Sequence, residues 1–111
     1  MILFFKGTNR TYYLVESTSE LNENDIKKIQ WLFSEAEYTR EKELKGFFTG
    51  PRKEMITPWS TNAVEITQNM GIAGIQRIEE FAKTDTSKAE HDPMLQAFYE
   101  NPGQDVFLIQ V

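Results

Sequence analysis

Few side chains in this 111-residue chain could do chemistry. His91 is its only histidine, set between Glu90 and Asp92. Such a trio suggests an acid–base pair or a metal site. A metal site needs three or four convergent ligands, however, and neighbours on a helix point apart. Asp92 before Pro93 is also what a helix start requires, so His91 reads as a structural or surface residue. Ser60 has no histidine placed to act as its base, which argues against a hydrolase triad. The six glycines are scattered and form no phosphate-cradling loop. The chain has no cysteine, which excludes a disulfide scaffold, a zinc–thiolate centre, an iron–sulfur cluster and thiol catalysis.

One segment carries more. Arg52 and Lys53 precede Pro58, Trp59, Ser60 and Asn62, which open a run ending at Gly71. Helix N-termini attract anions through free N–H groups and the helix dipole. An anion or a partner's carboxylate is one reading of this segment. A capped helix with two exposed cations is the other. Trp59 combines a large apolar ring with an N–H that needs a partner, a pairing common at interfaces. Packing into the domain's own core is its alternative.

Elements must position these groups. Met1 to Phe5 is apolar on both faces and suits a strand covered on both sides or pressed at an interface. Thr11 to Val15 reads as its partner strand across a turn at Gly7 to Asn9. Asn22 is the expected cap of a first helix, with Leu21 stapled to Ile26. Ile26, Ile29, Leu32 and Phe33 share its apolar face. Trp31 points elsewhere, toward a contact surface or under a neighbouring loop. Glu35 to Lys45 is a polar loop with a short extended piece, and Leu44 to Thr49 a third strand. Gly46 within it hints at a bulge or a close approach.

Ser60, Thr61 and Asn62 are each acceptable caps for the second helix, whose buried face is Ala63, Ile66, Thr67 and Met70. Gly71 should end it. Ile72, Ile75, Ile78 and Phe81 recur every three residues, which fits a strand only with a bulge. The acidic runs Glu41 to Glu43 and Glu79-Glu80 read as solvated faces. Asp92-Pro93 opens a third helix, with Met94, Leu95 and Phe98 as its apolar face and Asn101-Pro102-Gly103 as its stop. Val106 to Ile109 is the last strand.

The order predicts an α+β fold: a mainly antiparallel sheet of about five strands, with about three helices packed on one face. Length allows one domain over residues 1–111. Lys and Arg number 12 against 17 Asp and Glu, a net charge of −5, and no basic stripe marks a nucleic-acid binder. The first five residues are too short an apolar run for a secretory signal, and no run nears the roughly 18 residues of a membrane span. Cytoplasmic location is therefore expected. The apolar C-terminal end suggests a domain cut from a longer chain.

The residues Gly50-Pro51-Arg52, Ile56-Thr57-Pro58-Trp59-Ser60-Thr61-Asn62-Ala63, Ile66 and Asn69-Met70-Gly71, followed by Arg77-Ile78-Glu79, form a long ordered pattern. It closely resembles the N-terminal domain of the large, single-chain phosphoribosylformylglycinamidine synthases. His91-Asp92-Pro93-Met94 also resembles that family's His-Asp-Arg-Met segment, with Pro93 where arginine is usual. The specific match runs from about Phe47 to Met94, while the rest fits in general pattern.

The resemblance implies a part in purine biosynthesis. The family enzyme uses ATP and glutamine to convert formylglycinamide ribonucleotide to its amidine. Its N-terminal domain looks like a fused pair of the small subunit of multi-chain versions. That domain is a scaffold joining the synthetase core to the glutaminase, near the route of ammonia. The glutaminase nucleophile is a cysteine, which this chain lacks, so no catalytic residue carries over. The resemblance thus implies no cofactor in this segment, ATP and magnesium in the parent enzyme, and synthetase and glutaminase domains as partners. Arg52, Lys53, Pro58, Trp59, Ser60 and Asn62 are the candidate contacts. A free-standing binding module, possibly a homodimer regulating a related amidotransferase, is the alternative.

Overall fold

The computed structural model describes residues 1–85 and 96–109. Strand β1 (Ile2–Lys6) pairs antiparallel with β2 (Thr11–Ser17), as the two β-rich runs require. Helix α1 (Glu23–Leu32) follows, and Asn22 caps it by accepting the Asp25 N–H at 2.7 Å. Leu21 and Ile26 both pack into the core below it. The polar stretch after α1 holds only β3 (Glu37–Tyr38), which pairs with the end of β1. Next come β4 (Phe47–Pro51), α2 (Pro58–Asn69), β5 (Ile75–Thr84) and β6 (Gln96–Glu100). The strands form one sheet in the order β3-β1-β2-β5-β4-β6, with every pairing antiparallel.

The α+β class and the antiparallel sheet match expectation, but the counts are six strands and two helices among the described residues. Residues 96–100 are strand, not helix. Tyr99 and Ala97 face one core while Phe98 turns to Phe47, and this alternation is too short to separate from a helical stripe by sequence. The start assigned to that helix, Asp92 to Leu95, lies outside the described residues. Val106 to Ile109 is no strand. It is a turn region in which Val106 and Phe107 are buried and Leu108 and Ile109 exposed. The third strand begins at Phe47, because Gly46 has φ +111°, which breaks extended geometry. The close approach is at Gly50, where a Cβ would stand 2.6 Å from the Phe81 ring.

Both sheet faces are covered. On one, α1 and α2 enclose Leu3, Phe5, Val15, Ile26, Ile29, Ala63, Ile75 and Ile78. On the other, no helix packs among the described residues. Ile2, Phe4, Leu14, Phe48, Phe81 and Tyr99 are covered instead by Leu44 and by Val106 and Phe107 of the segment 101–109. That segment is fastened by the Gln104 side chain, which accepts the Ile2 N–H at 2.7 Å and donates to Ile2 and Lys42 carbonyls at 2.9 and 3.0 Å.

The period of three in β5 has a physical cause. Ser17 pairs with Ile75 but Glu16 with Arg77, so Gln76 is an extra residue that bulges outward. The bulge brings Ile75 and Ile78 to the same helix-covered face despite their odd spacing. Beyond it, Arg77, Glu79 and Phe81 point the other way.

Candidate functional site

The segment 52–60 crosses from β4 into α2 beside the part of β5 that β4 leaves unpaired, since β4 meets only Ala82 to Thr84. Its helix starts earlier than expected. Thr57, not Ser60, Thr61 or Asn62, is the cap, and its hydroxyl accepts the Ser60 N–H at 3.0 Å. Pro58 sits in the first turn, where its missing N–H costs nothing and its fixed φ suits the helix. Ser60 is thereby inside the helix and fully buried. Its hydroxyl accepts the Ile78 N–H at 3.0 Å, filling the place of a neighbouring strand on β5. At the other end, Gly71 (φ +81°) follows the C-cap Met70, and the Gly71 and Ile72 N–H groups close onto Gln68 and Thr67 carbonyls.

Beneath this crossing lies a buried ion pair. Arg77 Nε donates to Glu79 at 2.8 Å, with 4% and 1% of the two side chains exposed. The guanidinium also donates to the carbonyls of Lys53, Arg52 and Met55 at 2.6, 3.0 and 3.0 Å. Its flat face lies 4.3 Å from the centre of the Phe107 ring. Glu79 in turn accepts the N–H and the hydroxyl of Thr57 at 3.1 and 2.6 Å. Each guanidinium nitrogen donates to backbone or to Glu79, which is what makes a buried pair tolerable. Tyr99 ties the start of the crossing, donating to the Pro51 carbonyl at 2.5 Å. Burial pushes its phenol up to about 12.

Glu79 and Glu80 are not the solvated face their sequence suggests. Only Glu80 is exposed, and Glu79 is buried with Arg77. The available signal was the Arg-x-Glu spacing, which puts both side chains on one face of a strand.

The six candidate contacts are brought into one neighbourhood with unlike roles. Arg52 and Lys53 give their carbonyls to Arg77, and the Arg52 guanidinium meets Glu54 at 2.6 Å. The helix N-terminus faces the carboxylate of Glu79 through Thr57. Pro58, Asn62 and Trp59 are exposed. Trp59 is 42% exposed and stacks at 6.2 Å on Tyr13, which stacks at 4.2 Å on Phe33.

Trp59, Asn62, Ala63 and Ile66 follow the i, i+3, i+4, i+7 spacing of one helical stripe. With Leu32 of α1 and its C-cap Phe33 they line a cleft of about 200 Å³ between the helices. Ile66, expected on the buried face of α2, is exposed on this cleft. Met55 and Ile56 are exposed on the crossing, Ile56 on the other side of α2 with Thr61, Val64 and Gln68. Trp31 is 67% exposed, so no loop among the described residues covers it. His91 and its neighbours lie outside the described residues. Among the described residues no group of three His, Asp or Glu could hold a metal ion. No helix among them is long and apolar enough to cross a membrane.

The family model for the formylglycinamide ribonucleotide amidotransferase N-terminal domain matches residues 10–105. The chain belongs to this family. The match runs from the start of β2 to residue 105, and so takes in the buried pair, the crossing and the cleft. It extends the resemblance read from residues 47–94 over most of the fold. No solved structure matches the chain significantly.

Proposed function

We propose that this chain is a non-catalytic scaffold and docking domain of formylglycinamide ribonucleotide amidotransferase, a ligase of purine biosynthesis. Its partners are the synthetase and glutaminase domains of the same enzyme, and its contact surface is the cleft at Trp59. The observation that carries the reading is the division of labour within the family pattern. Its polar members Thr57, Ser60, Arg77 and Glu79 bond one another or the backbone inside the domain. Its apolar members Trp59 and Ile66 stand exposed on one stripe of α2 at the cleft, and Ile56 is exposed on the other side of the helix, beside Thr61, Val64 and Gln68. Groups fixed in internal bonds are ill placed for chemistry, whereas exposed aromatic and branched side chains around a cleft are what a docking site needs. ATP and magnesium then belong to other parts of the enzyme, which works in the cytoplasm.

Trp59→Ala tests this in the 111-residue chain and in the parent enzyme. In the chain alone, truncating a ring that is 42% exposed should cost less than about 2 kcal/mol in urea denaturation. In the enzyme, glutamine-dependent turnover should fall while ammonia-dependent turnover persists. A loss of about 3–5 kcal/mol in the isolated chain, as for a packed core residue, rejects docking. So does unchanged glutamine-dependent turnover.

A further inference from the structure

We propose that Arg77 couples the two covered faces of the sheet, so that the segment 101–109 sets the position of the Trp59 surface. The proposal rests on the docking reading for its functional meaning, though the coupling itself is testable without it. Segment 101–109 acts as a strap. Gln104 fastens it to β1 and to Lys42, and Phe107 presses on Phe81 at 6.0 Å and on the Arg77 guanidinium at 4.3 Å. The same guanidinium holds three carbonyls of the crossing, at Arg52, Lys53 and Met55. Met55, Ile56 and Trp59 follow directly from that held backbone.

The Arg77 side chain thus contacts both the strap and the backbone that presents the docking stripe. Its planar fork makes this possible. The edge of the guanidinium donates while the face stacks on an aromatic ring. Removing the ring leaves a void beside a buried cation, and the cheapest response is for Arg77 to tilt and release some of its carbonyls. Seating or lifting the strap therefore tightens or loosens the crossing on the far side of β5. Phe107 and Gln104 are positioning residues that act through Arg77.

The experiment uses the 111-residue chain with Trp31→Phe, which leaves Trp59 as the only tryptophan. Phe107→Leu keeps an apolar side chain but removes the ring, and Phe107→Tyr restores it. Amide hydrogen exchange and acrylamide quenching of Trp59 are read in each. In Phe107→Leu, the Met55 and Thr57 amides should exchange about tenfold faster while Leu14, in the central strand β2, stays within about twofold. Trp59 quenching should change in the same variant, and Phe107→Tyr should return both to the starting values. Gln104→Ala should produce the same pattern more weakly. Faster exchange at Val106 and Leu108 with Met55, Thr57 and Trp59 unmoved overturns the coupling. Uniform acceleration of all amides, Leu14 included, overturns it as well, since that is general loss of stability. Failure of these readouts leaves the Trp59→Ala result on turnover untouched, so the two proposals fail separately.

Discussion

The two helices begin with the same parts in opposite surroundings. At α1, Asn22 caps the first turn and Glu23 meets Arg40 in a two-pronged pair, with 63% of each side chain exposed. At α2, Thr57 caps the first turn and Glu79 meets Arg77 with almost nothing exposed. Water can replace every partner at α1. At α2 it cannot replace Arg77 or Glu79, so removing one of them leaves the other buried without compensation. The first arrangement closes a helix. The second fixes where a helix starts and how the chain enters it, and the exposed Trp59 stands two residues after that cap.

The sharpest way to break this contrast is Arg77→Met. It should cost about 3–5 kcal/mol in urea denaturation, because Glu79 is left buried without its partner. The double variant Arg77→Met, Glu79→Gln should be more stable than Arg77→Met alone. A loss below about 1 kcal/mol for the single variant would place the pair with exposed ones.

The next effect is read in alkali. The Tyr99 phenol has a folded pKa of about 12 against an ordinary 10.0, because burial favours its neutral form. Its contribution is present below pH 10 and is lost as pH rises from about 10 toward 12. Thermal midpoints of the unaltered chain should fall across this window more steeply than those of Tyr99→Phe. Parallel curves would mean that burial in the fold does not favour the neutral phenol over the ionised one.

The two caps compare directly. Thr57→Ala and Asn22→Ala should each cost about 0.5–2 kcal/mol, with Thr57 at the upper end because it also donates to Glu79. Equal losses would show the buried carboxylate adding nothing to the cap.

Smallest is the exposed pair. Arg40 holds the Glu23 carboxyl below its usual range, chiefly through their hydrogen bond. That contribution exists above the ordinary carboxylate pKa and is lost as pH falls through the lowered one. Glu23→Gln should shift the midpoint slightly at neutral pH and low salt. The shift should vanish in acid and in high salt.

Much of the frame is visible in the sequence because local chemistry and tertiary position agree there. Asn22, Leu21 and Ile26 mark α1, Gly71 ends α2, and the two-faced apolar run of β1 is covered on both sides. The bulge was legible as a period of three in β5, although its residue, Gln76, was not. Short elements were misread where a neighbour, not a propensity, decides. Residues 96–100 are strand because β4 offers an edge, and Val106-Phe107 is a turn because a sheet face needs a lid. The cap moved from Ser60 to Thr57 because β5 needed the Ser60 hydroxyl. Candidate contacts came out of one short window, but the hub beneath them joins residues 52–57 to 77, 79 and 107. No local window spans that distance.

Gln104 has a further consequence for the shelf life of the protein. Its amide meets the edge of β1 as a neighbouring strand would, accepting from and donating to Ile2. Open strand edges are templates for aggregation, so this one side chain is a stopper. Glutamine is among the thermolabile residues. Hydrolysis of its amide would put a carboxylate against the Ile2 and Lys42 carbonyl oxygens, with no proton to share. A slow, spontaneous loss of ammonia at a single position would then convert a closed edge into a sticky one.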